Sequence, residues 1–314
     1  MLGDLSHNNV NIFVLFLLAG CLEAFRRGRD VTAGLVLALA VACKVTPVLF
    51  VGYFAWKRAG RVLAGCAVGL ALWLAVVPAA AFGWDRNREL LADWYALMVE
   101  RPVLKGEVTT EHPNQAVPGF VYRLFTHSPS FVVYPNNTPT PAEYHNITDV
   151  GRPAAWWVVK GLTAAFAVAV VLLCRWPVAA ARQGWPLAAE CSLVVLGMLL
   201  FSERTWKHHA VVLLLPLAVL AHAAFSAEFG RRTRAYLAAT LVAVGLLTVV
   251  PGMLPNRAAD LAMVYGTHTA AFVLLTAAVC TVLAAAVRVA GAGRAGYTAG
   301  GSLDGPSGAV YRGP

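Results

Sequence analysis

The chain has 314 residues, 59% of them hydrophobic and only 13% charged, and its mean hydropathy is +0.64. A soluble domain is about a quarter charged, so this composition lacks the polar surface to dissolve and excludes a water-soluble enzyme or binding module. The formal charge of +9 points to membrane topology and not to nucleic acid, because no Lys/Arg run reaches the length of a nucleic-acid patch.

Several stretches approach the ~20 apolar residues that cross a bilayer. The class expected is an all-α, polytopic integral membrane protein. In chain order the expected spans are Val10–Phe25, Val31–Trp56 (interrupted), Val62–Phe82, Ala155–Cys174, Leu187–Phe201, Ala210–Phe225, Tyr236–Leu254 and Thr267–Val287. Cys21, Cys43, Cys66, Cys174, Cys191 and Cys280 all fall in apolar segments without CxxC spacing, as buried small residues do. No basic leader with a small-residue cleavage site opens the chain, so no removable signal peptide is expected.

Orientation follows from the short basic loops. Arg26, Arg27 and Arg29 follow the first span; Lys57, Arg58 and Arg61 follow the second. Arg175 and Arg182 follow the fourth, and Arg231, Arg232 and Arg234 the sixth. Placed in the cytoplasm, these eleven face three on the other side, namely Arg204, Lys207 and Arg257. Both flanks of Val31–Trp56 are then cytoplasmic, so the segment enters and returns. Half of its 26 residues reaches about 20 Å against a core of ~30 Å. A re-entrant or broken hairpin is expected, turning at Lys44-Val45-Thr46-Pro47, where Pro47 removes a donor and disfavours helix before it.

The same orientation puts Ser6–Asn11, the loop 83–153 and Ser202–His209 on the extracytoplasmic side. A loop of that length is expected to be functional. Within it, Gly83–Glu100 places Trp84, Leu91, Trp94, Tyr95 and Met98 near helical spacing, as an amphipathic helix on the membrane surface would. The expected division is a transmembrane domain over 1–290 and a Gly/Ser/Pro-rich, disordered cytoplasmic tail over 291–314.

Three stretches carry polar chemistry. Glu203, Arg204, Lys207, His208 and His209 crowd into seven positions between two apolar runs, with Trp206 among them. Such a turn is either a bland interfacial hairpin with Trp206 in the aromatic belt, or the wall of a polar cavity. Adjacent histidines point about 100° apart on a helix, so one of the two faces a site. They lack the i, i+4 zinc spacing, and no metal or other cofactor is expected. Lys44 either snorkels to an interface or sits deep, where an ammonium costs roughly 3 kcal/mol unless paired, a lipid phosphate being a natural partner. Thr109–Gln115, with Glu111, Asn114 and Gln115, is by itself an ordinary polar loop.

Together these stretches resemble glycosyltransferase family 87, membrane mannosyltransferases of the GT-C superfamily that use polyprenyl-phosphate sugars. The family's Gly-Gln-x-Asn stretch corresponds to Asn8-Asn9-Val10-Asn11. Its Ala-Gly-rich helix running into Lys-x-x-Pro corresponds to Ala33-Gly34 through Lys44-Val45-Thr46-Pro47. Its Asn-Gln-Ser loop corresponds to Asn114-Gln115, with Ala116 in place of Ser, and its Ser-Trp-x-His-His to Thr205-Trp206-Lys207-His208-His209, followed by Pro216. The resemblance covers about residues 8 to 225. Family members carry an additional N-terminal portion with an acidic residue proposed as catalytic base, a role not transferred to Asp4.

What the resemblance implies is a GT-C-like helical bundle moving a hexose, mannose foremost, in an inverting transfer from a polyprenyl-phosphate donor to a lipid-linked or envelope acceptor. It places this in a bacterial plasma membrane, on the extracytoplasmic face. His208, His209 and Glu111 are the catalytic candidates. Lys44, Arg204, Lys207, Trp206, Asn9, Asn11, Asn114 and Gln115 are the substrate-binding ones. Cationic side chains do the charge work on a lipid phosphate without a metal. The partners implied are the sugar donor, a lipid or glycan acceptor and membrane lipids. Alternatives are a transporter or flippase, which would line a path to both faces, and a catalytically incomplete paralogue or subunit.

Overall fold

A computed structural model of the protein describes residues 10–104, 107–175, 182 and 185–299. Among them are twelve helices and one β-hairpin. Helix α1 (Asn11–Arg26) leads into α2 (Asp30–Cys43), and the chain then breaks and returns through α3 (Val48–Trp56) to α4 (Gly60–Phe82). At the break Lys44 is extended (φ −157°, ψ 128°), and Pro47 precedes the first residue of α3.

Helices α2 and α4 touch backbone to backbone. Gly65 lies against Val31, Gly34 against Val62 and Cys66, and Gly69 against Leu35 and Ala38. Residue numbers rise together along the contact, so the two helices are parallel and start at the same end. Small residues permit this approach; a Cβ at Gly34 would overlap the Val62 carbonyl oxygen. With 14 and 23 residues, α2 and α4 are about 21 Å and about 35 Å long. The Lys44 turn therefore stops inside the thickness that α4 crosses, and the broken hairpin expected for Val31–Trp56 is present.

Near its far end α4 contains a π-turn, Leu72–Val76, just before Pro78. Pro78 has no N–H for the Leu74 carbonyl, which needs another donor. Gly83 (φ +84°) turns the chain back, and the buried Asn87 of α5 (Trp84–Tyr95, continued by the π-turns of Ala96–Leu104) supplies one. Its amide donates to Leu74 O at 3.2 Å and Ala75 O at 3.3 Å. The surface helix expected from Gly83–Glu100 is thus tied to the end of α4, with Trp84, Tyr95 and Met98 exposed.

At the same end lie α6 (Val117–Phe125) and the antiparallel pair β1 (Phe131–Val133) and β2 (Thr140–Glu143). Then come α7 (Arg152–Leu173), α8 (Trp185–Leu200), α9 (Lys207–Phe225), α10 (Arg231–Met253), α11 (Asn256–Val264) and α12 (Thr267–Ala299). Helices α4, α7, α9, α10 and the Thr267–Ala286 part of α12 are long and apolar enough to span a membrane. The protein is a multi-pass membrane protein. Of the expected tail, 291–299 continues α12, and 300–314 lies outside the described residues.

The opposite end is closed by an ion pair that sequence reasoning passed over. Glu190 of α8 accepts from Lys57 Nζ and from the Tyr53 hydroxyl, both at 2.7 Å. The Lys57 and Glu190 side chains are 3% and 0% exposed. Trp56 Nε1 donates to Cys174 O at 3.1 Å beside them. The return arm α3 is thereby latched to α7 and α8. All six cysteines are free, four buried and two half-buried.

Candidate active site

Three breaks in helix meet at the other end: the start of α1, the turn after α2, and the loop 201–206 between α8 and α9. Each break leaves backbone and polar side chains without an intrahelical partner, which at membrane depth is tolerable only inside protein or against a wet cavity. Lys44 Nζ donates to Asn11 Oδ1 at 2.5 Å. Around this pair opens a small cleft lined by Asn11, Lys44, Thr46, Ser202, Arg204, Thr205 and His209 over apolar Val14, Met198, Leu199 and Val212.

Its charge is one-sided. Among the described residues, Lys44, Arg204 and His209 contribute donors and no carboxylate lines it, an arrangement that complements an anion. The Arg204 guanidinium lies over the Trp206 ring at 5.6 Å and donates through Nε and Nη2 to Thr109 Oγ1 at 3.2 and 2.9 Å. His209 Nδ1 accepts from the Trp206 backbone N–H at 3.2 Å. The neutral ring therefore carries its proton on Nε2, which leaves that atom a donor.

The two histidines separate. Lys207–Leu213 is a 3₁₀ turn, so successive side chains diverge by about 120°. His209 lines the cleft, whereas His208 packs edge-on against Trp206 at 5.5 Å and His209 at 4.5 Å. Lys207 and Trp206 do not line it. Nor does Glu111, whose carboxylate accepts from the Tyr134 hydroxyl at 2.7 Å and so raises that phenol's pKa. Glu203 is half-buried; burial pushes its carboxyl pKa up, against the pull of Arg204. Asn9 lies outside the described residues.

Asn114 and Gln115 are fully buried and spent on protein. Asn114 Nδ2 donates to Thr109 O (2.7 Å) and Glu203 O (2.8 Å), while its Oδ1 accepts from Thr205 N (2.9 Å) and Ala116 N (3.1 Å). Gln115 Nε2 donates to His112 O and Met263 O, and its Oε1 accepts from His268 N and Thr269 N. Both amides build the wall; neither has capacity left for a substrate.

Sequence reasoning missed Thr46, Ser202 and Thr205 in the lining, and Arg123 behind it. Arg123 is fully buried and donates to five carbonyls: Thr110, Glu111, Asn114, Met263 and Val264. Burial alone lowers its pKa to about 10, and the last two carbonyls lie at the negative C-terminal end of α11. A single Arg in an amphipathic nine-residue stretch gives no sequence signal of this.

Over residues 1–203 the sequence matches Glycosyltransferase family 87. The matched stretch includes Asn11, Lys44, Asn114 and Gln115, and it stops one residue before Arg204. No curated protein and no solved structure matches the chain. The matched stretch is well over half of the 314 residues, and it includes the membrane-length helices α4 and α7: the chain belongs to glycosyltransferase family 87 and is a membrane glycosyltransferase.

Proposed function

We propose that the protein moves a hexose, mannose foremost, from a polyprenyl-phosphate donor to a lipid-linked or envelope glycan acceptor on the extracytoplasmic face of a bacterial plasma membrane. One observation carries this reading: a cleft whose described lining brings Lys44, Arg204 and His209 together, set within the thickness that α4 spans. A phosphate on a lipid chain is the anion that reaches such a depth with its apolar tail still among the helices.

In an inverting transfer the acceptor oxygen forms a bond to the anomeric carbon as the carbon–oxygen bond to phosphate breaks. The electron pair leaves with the polyprenyl phosphate, and the acceptor proton goes to a base. Lys44, Arg204 and the Nε2–H of His209 stabilise the charge developing on the leaving phosphate. Glu111, which lies outside the cleft lining and is held by Tyr134, is the carboxylate nominated as base. Asn11 positions Lys44, and Asn114 and Gln115 hold the wall.

The test is transfer of radiolabel from polyprenyl-phosphate-mannose in membranes containing the chain. Lys44→Met and Arg204→Ala are each expected to cost ~10²–10³-fold in rate, the scale of losing one charge-stabilising donor. Glu111→Gln is expected to abolish transfer while sparing donor binding. Transfer that survives both the Lys44 and Arg204 substitutions would sink the proposal, and no transfer by the wild-type chain would point to an incomplete paralogue or subunit.

A further inference from the structure

Arg204 sits on the six-residue connection 201–206 between α8 and α9, and what holds it comes from elsewhere in the chain. The Glu203 carbonyl belongs to the peptide unit before the Arg204 Cα, and the Thr205 N–H to the unit after it. One side chain grips both: Asn114 Nδ2 donates to Glu203 O at 2.8 Å and Asn114 Oδ1 accepts from Thr205 N at 2.9 Å. The second Nδ2 hydrogen goes to Thr109 O at 2.7 Å, and the Thr109 hydroxyl is the group that receives the Arg204 guanidinium at 2.9 Å.

We infer that Asn114 is a positioning residue for Arg204, clamping the peptide units on either side of it and the residue that receives its guanidinium. This rests on the reading that Arg204 meets the donor phosphate. The amide needs all of its capacity for the task, two donors and two acceptor sites. Its surroundings are built to keep it there. Arg123 holds the carbonyls of Thr110, Glu111 and Asn114 itself. Gly119 leaves the space the amide occupies, since a Cβ there would overlap Asn114 Nδ2. The backbone N–H of Gln115 closes the clamp on Thr205 O at 2.7 Å.

The geometry separates Asn114 from a substrate contact, and coupling to Arg204 separates it from a merely structural group. Loss of a merely structural group would lower stability and leave its effect on the ligand independent of Arg204. A group that acts through Arg204 has no effect on the ligand once Arg204 is gone. Asn114→Asp keeps both acceptor sites but loses both donors and sets a charge against the Glu203 and Thr109 carbonyls. It is expected to behave as Asn114→Ala does.

The experiment measures binding of a polyprenyl monophosphate to the purified full-length chain in detergent, with thermal unfolding of every variant alongside. Asn114→Ala and Asn114→Asp are each expected to weaken binding ~10–100-fold, the scale of a misplaced side chain. Asn114→Ala/Arg204→Ala is expected to bind no worse than Arg204→Ala, although its unfolding temperature still drops. Full additivity of the two losses, or wild-type binding by Asn114→Ala, overturns the inference. Wild-type binding by Arg204→Ala instead overturns the phosphate reading. A readout that needs no ligand then decides the clamp: the rate at which a water-soluble maleimide labels Arg204→Cys. Asn114→Ala is expected to change that rate several-fold, and an unchanged rate sinks the clamp.

Discussion

His208 and His209 show how much one residue's identity leaves open. Their adjacency dictates that they diverge, and it says nothing about which one meets the cleft. That is decided by a 3₁₀ turn and by the Trp206 N–H that captures His209 Nδ1, neither of which leaves a mark in the sequence. The expected outcome is unequal: His209→Ala lowers transfer ~10²-fold or more, and His208→Ala lowers it several-fold at most through looser packing of Trp206. Single-turnover rates of the two variants check this. Lys44, by contrast, was legible as an ammonium among apolar residues that needs a partner; the partner expected was a lipid phosphate, and the structure pairs it with Asn11, which only the family resemblance had marked. Asn114 and Gln115 were legible as polar residues with a task, but sequence reasoning aimed them at a substrate. Their partners are carbonyls and amides, and every residue carries those.

Among the elements, the parallel contact of α2 and α4 depends on Gly34, Gly65 and Gly69. Gly34→Val would force the helices apart, and overpacking of this kind costs about 1–3 kcal/mol or more. The prediction is a chain that expresses poorly or melts early in detergent, while Gly52→Val, where an added Cβ meets nothing within 4 Å, melts as wild type. The enter-and-return path of α2 and α3 was readable from basic flanks and length alone, because the hydrocarbon core fixes how far a helix must go. The docking of α11 was not readable. His112 Nε2 meets Asp260 at 3.4 Å, and Arg257 pairs with Glu143. Burial holds the His112 imidazole below its ordinary value, against the pull of the Ser130 carbonyl and Asp260. A depressed folded-state value means that its contribution is complete above the unfolded value of about 6.5 and is lost as the pH falls from there through the folded value. Hydrogen-exchange protection in 256–264, referred to the intrinsic exchange rate at each pH, is therefore expected to fall on going from about pH 7 to about pH 5. His112→Gln should flatten that response; a response unchanged by the substitution would assign it to another group.

In the molecule as a whole, the two ends of the bundle differ in kind. One gathers the ends of α1, α3, α7 and α9 with their Arg and Lys residues; the other gathers the cleft, the β-hairpin and α11. If the positive-inside rule holds for this chain, a single cysteine introduced at Arg232 is shielded from an impermeant reagent in whole cells and one at Ile147, 68% exposed, is labelled. The reverse pattern would move the active face to the cytoplasm.

The buried latch at the basic end bears on how the protein is made. Lys57 leaves the ribosome 133 residues before Glu190. At ~5–20 residues per second that is a wait of roughly 7 to 27 seconds. During it the hairpin of α2 and α3 has the glycine groove of α4 to lie in, and Lys44 already has Asn11, which emerged earlier. Lys57 has no Glu190 yet. The arm carrying the Lys44 turn thus meets its partner at the tip early and its partner at the base late, and the latch cannot close before α8 has been made.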